Sequence, residues 1–105
     1  MIAVSRFDVA EADGESFAVR AGAALAAFGA RPGYRRGSAG RSFDEPTRWV
    51  MVTEWEGVGT YRRALSSYDV KVNGVPLLAE SIDEPGAYEV LVSEGIRAPS
   101  DRAGG

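Results

Sequence analysis

The run RWVMVTEWE, Arg48–Glu56, constrains this chain more than any other segment. It alternates with a period of two, and that is the period of a strand. Trp49, Met51, Thr53 and Trp55 therefore point to one side, and Val50 and Val52 to the other. A strand that is apolar on both faces needs neighbours in its plane and cover above and below. The segment is thus expected to be a central strand. One of its faces carries both tryptophans of the chain.

Elements of matching type flank it. IAVSRFDV, Ile2–Val9, reads as a second central strand, with Ala3, Ser5, Phe7 and Val9 on one face and Ile2 and Val4 on the other. Asp13–Ala30 reads as a helix. Phe17, Ala21, Ala24, Leu25 and Phe28 form its stripe, and its alanines allow close approach to a sheet. Asp13 is placed to accept hydrogen bonds from the first turn. Gly29, Pro32 and Gly33 end the helix. Tyr34–Phe43 reads as an edge strand, with glycines that suggest a bulge and arginines that discourage stray pairing. The connection Asp44–Thr47 joins it to the tryptophan strand as a hairpin. GVGTYRRALSSY, residues 57–68, reads as a second helix with Val58, Tyr61, Leu65 and Tyr68 on one face. A loop over Asp69–Gly74, a short helix over 75–81 and a last strand over Ala87–Gly95 follow. The sequence divides into a folded domain, 1–95, and a Pro/Gly/Ser-rich tail, 96–105, expected to be flexible.

Composition removes whole classes of chemistry. The 105 residues include no histidine and no cysteine. That excludes thiolate catalysis, a Ser-His-Asp triad and histidine-ligated haem or zinc within one chain. No acidic cluster has calcium-loop spacing, and GSAG at 37–40 lacks the context of a phosphate loop. The formal net charge of −3 argues against bulk attraction to nucleic acid or anionic lipid. No stretch is long and apolar enough for a membrane span. The expected protein is cytoplasmic, binds no nucleic acid and no membrane, and carries no metal or other cofactor.

The element order, strand–helix–strand–strand–helix–strand, is the split βαβ pattern of α+β ferredoxin-like folds. Right-handed crossovers place both helices on one face of a four-stranded antiparallel sheet, with strands one and three central. Val50, Val52, Ile2 and Val4 then line the uncovered face. A homodimer with sheets facing each other would cover it.

That order, with VTEWE closing the third strand and YRRALSSYDVKV after it, resembles the antibiotic biosynthesis monooxygenase family of dimeric α/β barrels over residues 1 to 94. The resemblance implies a pocket inside each subunit, between sheet and helices. Trp55 would line it and Tyr61 would face it from the second helix. In the haem-degrading branch an asparagine stands near Ser5 and a histidine near Asn73 or Gly74; this chain has neither, which argues against haem degradation. On this reading Trp49 fills the core and Trp55 walls the cavity. Arg6, Asp8 and Glu54 form an ion network at a barrel mouth.

Two functions follow. One is a cofactor-independent monooxygenase acting on a phenolic or polyketide-like aromatic, with Trp55 and Tyr61 as catalytic residues. Ser5, Met51, Thr53 and Tyr68 would contact substrate, and Asp69 would be the carboxylate nearest the reacting group. The other is a non-catalytic dimer that binds a small aromatic molecule or serves as an accessory protein.

Overall fold

A computed structural model describes residues 1–95; the tail expected over 96–105 lies outside the described residues. Four strands form one sheet, β1 (Ile2–Asp8), β2 (Tyr34–Arg41), β3 (Arg48–Trp55) and β4 (Ala87–Tyr88), in the order β2-β3-β1-β4. All pairings are antiparallel. The two strands that read as apolar on both faces are the central pair. The fold is α+β and ferredoxin-like, as the element order implies.

The helices are α1 (Gly14–Gly29), α2 (Val58–Leu65), α3 (Tyr68–Asn73) and α4 (Val75–Leu78). They cover the face that carries Trp49, Met51, Thr53 and Trp55, all four of which are buried. Phe17, Ala21, Ala24 and Phe28 supply the buried stripe of α1. Gly37 permits the close approach of α1 to β2: a Cβ there would lie 2.9 Å from Leu25 Cδ2 and 3.0 Å from Thr53 Cγ2. The register Val4↔Val52, Arg6↔Val50 and Ile2↔Glu54 puts the second apolar set on the far face, away from the helices.

Several local expectations are corrected. Asp13 makes no side-chain cap; a 3-10 turn over Glu11–Asp13 leads into α1, and Ser16 Oγ donates to the Asp13 carbonyl at 2.9 Å. The second helix stops at Leu65 instead of running to Tyr68. Ser67 is extended there (ψ 152°) and its hydroxyl donates to the Ala64 carbonyl at 2.8 Å. This is the local competition with the helix ladder that serine offers. The chain then re-enters a helix where a loop was expected, because α3 buries Val70 completely against the core. β2 ends at Arg41, short of Phe43, and carries the suspected irregularity between Tyr34 and Arg36. β4 is two residues long where nine were expected. Its pairing with β1 stops at Ile2↔Tyr88, and Glu89–Gly95 has no regular structure.

Two devices hold the periphery. Arg20 of α1 bonds Glu80 beyond α4 through both guanidinium nitrogens, the Nη1–Oε1 arm at 3.2 Å. That hydrogen bond lowers the Glu80 pKa and raises that of Arg20. The pair is exposed, so Glu80→Gln should lower stability by no more than ~1 kcal/mol in a urea titration. At the other end, Thr60 Oγ1 donates to the Gly57 carbonyl at 2.7 Å and accepts from the Gly57 N–H at 3.3 Å, closing the start of α2.

Candidate functional site

The tryptophan side of β3 meets the helices in two aromatic groups, one at each end of the strand. At the C-terminal end Trp55 is the centre. Its ring lies 5.7 Å from Phe28, 5.3 Å from Tyr34 and 5.5 Å from Tyr61, and Phe28 also stacks on Tyr61 at 6.4 Å. Edge-to-face and tilted contacts at these separations are favourable for the ring quadrupoles. Trp55 is 0% exposed, and its Nε1–H donates to Thr53 Oγ1 at 2.8 Å. The donor and acceptor are two residues apart on one strand, hence on one face.

At the N-terminal end Trp49 packs edge-on against Phe17 at 5.1 Å, and the Arg41 guanidinium sits 5.8 Å above its ring. Trp49 is 9% exposed, and its buried Nε1–H has no partner among the described residues. Both indoles are buried in the core. Trp55 is the sealed and satisfied core residue in this conformation, and Trp49 is the one with an unused donor.

Between the two groups lie Ser5, paired opposite Met51, and Thr53, paired opposite Ala3 and Gly37. Ser5, Met51, Thr53, Trp55 and Tyr61 thus belong to one layer between sheet and helices. Tyr68 and Asp69 do not. Tyr68 is 79% exposed and Asp69 is exposed beside it, because the break at Ser66–Ser67 shifts the phase of the helix after Leu65. No described carboxylate takes the place expected for Asp69 next to Trp55. The ion pairs on the other face are Arg48–Asp8 at 3.0 Å and Arg36–Glu54 at 3.3 Å; Arg6 joins neither.

Tyr34, at the start of the edge strand β2, also walls Trp55. The signal lay in the glycines around it. Gly33 (φ +86°) turns the chain into β2, and a Cβ on Gly37 would fall 2.5 Å from the Tyr34 hydroxyl.

Tyr61 is half-buried, and its hydroxyl makes no hydrogen bond among the described residues. Burial raises the pKa of Tyr61 and of Tyr34 above the usual phenol value. Both stay neutral through physiological pH, so each can donate a hydrogen bond. The same shifts bear on stability. Their contribution is fully present below the unfolded pKa near ~10 and is lost as pH rises through the folded values. The urea midpoint should therefore fall above about pH 10, and a Tyr34→Phe/Tyr61→Phe protein should show a shallower fall.

A cleft of about 480 Å3 opens where β3 ends, one residue beyond Trp55. Glu56, Gly57, Val58, Arg62, Tyr88 and Val90 border it. Val58 and Arg62 flank Tyr61 on α2, so this cleft is the solvent approach closest in sequence to the Trp55 group.

No protein-family model matches the chain, and no curated protein does. Solved structures do. SnoaB, a cofactor-independent oxygenase from Streptomyces nogalater, is 29% identical, with 88% of this chain and 93% of that chain covered at a TM-score of 0.69. The chain shares the fold of the antibiotic biosynthesis monooxygenases. Two proteins named as antibiotic biosynthesis monooxygenases agree in fold. The one from Deinococcus radiodurans is 13% identical, with 92% and 98% of the two chains covered at a TM-score of 0.72. The one from Bordetella bronchiseptica is 22% identical, with 86% and 96% covered at 0.65. The shared fold accounts for the sheet order and the helices on one face. Among the described residues no helix is long and apolar enough to cross a membrane.

Proposed function

We propose that this chain is a cofactor-independent monooxygenase of a flat phenolic or polyketide-like aromatic, working as a homodimer. The observation that carries the reading is the 29% identity to SnoaB, a cofactor-independent oxygenase, over 88% of this chain. The aromatic layer supports it. The substrate ring enters from the cleft beyond β3 and packs against Trp55 once the Tyr61 ring swings aside. No hydrogen bond among the described residues holds the Tyr61 hydroxyl in place. Ser5, Met51 and Thr53 line the floor.

The chemistry needs only a substrate anion and O2. The ionised phenol passes an electron to O2, and recombination forms a carbon–oxygen bond to the ring. Loss of water from the resulting hydroperoxide leaves a quinone carbonyl. One oxygen atom stays in the product and the other leaves as water, so phenol plus O2 balances with quinone plus water. Tyr61 donates to the substrate oxygen and stabilises the charge that develops there, in a site from which Trp55 and Phe28 exclude water. The phenol proton goes to solvent, solvent returns one to the peroxide anion, and the ring C–H proton then leaves with the outer OH as water. Because the raised pKa keeps Tyr61 a donor, the rate should not fall on its account until above about pH 10. Tyr61→Phe should leave stability nearly unchanged and weaken phenol binding by ~1 kcal/mol, read by fluorescence titration.

One observation favours a second reading, a non-catalytic binding dimer. The sequence has no histidine, Asp69 is turned to solvent, and Glu56 at the cleft is exposed, so no buried base stands beside Trp55. An oxygen electrode separates the two. One O2 consumed per quinone formed, without added flavin or metal, supports the enzyme. Quenching of tryptophan fluorescence by a phenol with no O2 uptake supports the binding protein.

A further inference from the structure

The hairpin end of the sheet carries another cleft, of about 450 Å3, bordered by Glu11, Arg41, Ser42, Phe43 and Pro46. It lies at the opposite end of β3 from the Trp55 group. Trp49 and Trp55 are six residues apart on that strand, about 20 Å at ~3.3 Å per residue. The turn that forms its wall is fixed locally: Ser42 Oγ accepts from the Asp44 and Glu45 N–H groups at 3.1 and 3.0 Å. That turn leaves the Phe43 ring fully exposed at the cleft. A bare phenyl ring beside a proline is an apolar platform without a cover.

Behind the cleft stands the unpartnered Trp49 donor. Trp49 is nine-tenths buried, and a buried N–H without an acceptor costs free energy until one arrives. Arg41 lies opposite Trp49 in the register of β2 and β3, so both side chains sit on one face. Its guanidinium covers the indole at 5.8 Å and lines the cleft. Gly14, the first residue of α1, faces both. A Cβ there would lie 3.7 Å from Trp49 Cζ2 and 3.8 Å from Arg41 Nη1. Cζ2 and Nε1 both flank Cε2 of the indole, so the N–H edge and the guanidinium border the same gap. One ligand oxygen fits where that Cβ is missing. Arg41 and Glu11 are both exposed, and neither is in an ion pair among the described residues.

These groups dictate what can bind. A free guanidinium and a buried N–H together match a carboxylate. Phe43 and Pro46 match a flat apolar body. Glu11 repels an anion close by and accepts from a donor, so the body must carry a hydroxyl away from its carboxylate. We propose that this cleft binds a hydroxyaryl carboxylate, with its carboxylate on Arg41 and the Trp49 Nε1–H, its ring on Phe43 and Pro46, and its hydroxyl donating to Glu11. Arg41 swings off the indole edge to admit it. The site is separate from the Trp55 group and does not depend on the reaction proposed there.

The two indole N–H signals in a proton–nitrogen correlation spectrum of the full chain test this, assigned with Trp49→Phe. The probe is 4-hydroxybenzoate; its methyl ester lacks the charge, and benzoate lacks the hydroxyl. The expected result is a saturable downfield shift of the Trp49 signal at millimolar probe, with the Trp55 signal unmoved and both analogues binding more weakly. Arg41→Gln should weaken binding about tenfold or more, the usual loss for a hydrogen bond to a charged group. Gly14→Ala is the sharper variant. Gly14 is right-handed (φ −59°, ψ −43°), so alanine is accepted in the helix, and its methyl fills the gap while leaving Arg41 in place. This variant should keep the Trp55 signal of the wild type and lose the Trp49 shift. No saturable Trp49 shift at millimolar probe overturns the proposal. So does a shift that persists unchanged in Arg41→Gln and Gly14→Ala, or one that the methyl ester matches. A Trp55 shift as large as that of Trp49 also overturns it, and leaves the reading of the Trp55 group standing.

Discussion

Trp55→Ala is expected to cost ~3–5 kcal/mol, as for other aromatic-to-alanine changes in cores. The indole is fully buried and touches Phe28, Tyr34 and Tyr61, so its removal strips three aromatic contacts at once. It also leaves Thr53 Oγ1 without the donor it now accepts from. Against the ~5–15 kcal/mol available to a small domain, this loss removes a large part of the stability. Trp49→Ala should cost less by ~1–3 kcal/mol, because it also removes a buried N–H that has no partner. Urea unfolding of the two variants, followed by far-UV circular dichroism, checks the order. Equal losses would mean that the Trp49 donor is satisfied in solution.

Gly33→Ala is expected to cost ~2–5 kcal/mol. Gly33 has φ +86°, in the left-handed region that costs an L side chain ~1–2 kcal/mol. A Cβ there would also run into the Thr60 side chain, with Thr60 Oγ1 2.7 Å away and the carbons nearer still. Thr60 cannot yield freely, because its hydroxyl closes the start of α2 on both polar groups of Gly57. Overpacking of this kind adds ~1–3 kcal/mol. The Gly33 carbonyl also accepts from the Glu56 N–H at 2.7 Å, so strain at this turn reaches the end of β3 and the Trp55 group behind it. A thermal melt should show the loss, and Thr60→Gly in the same chain should restore part of it. A melt unchanged from wild type would mean that the turn can rearrange.

What the sequence made legible was set by strong periodicity. The alternation of Trp49, Met51, Thr53 and Trp55 against Val50 and Val52 was enough to place β3 at the centre and to assign both faces. The α1 stripe from Phe17 to Phe28 was equally plain. The break between α2 and α3 was not, because Ser66 and Ser67 are compatible with a helix and only the burial of Val70 decides against continuing in phase. Tyr68 and Asp69 were misplaced for that reason. The short β4 was illegible because VLV reads as a strand whether or not a partner lies beside it. The roles of the two tryptophans depend on which donor finds an acceptor. Thr53 could be named as a candidate for Trp55, but the isolation of the Trp49 N–H depends on tertiary packing around Phe17 and Gly14. Tyr34 escaped notice because nothing local to an edge strand says which ring it will meet.

The central claim is that oxygen from O2 enters an aromatic ring with only this chain as catalyst. The most direct test is incubation of the purified protein with a panel of phenols and naphthols under 18O2, with mass spectrometry of the products. The account predicts a quinone carrying one 18O atom, formed without added metal or flavin, and formed more slowly by Tyr61→Phe. Quenching of Trp55 fluorescence by the same phenols in the Trp49→Phe protein, with no labelled product from any of them, would contradict it.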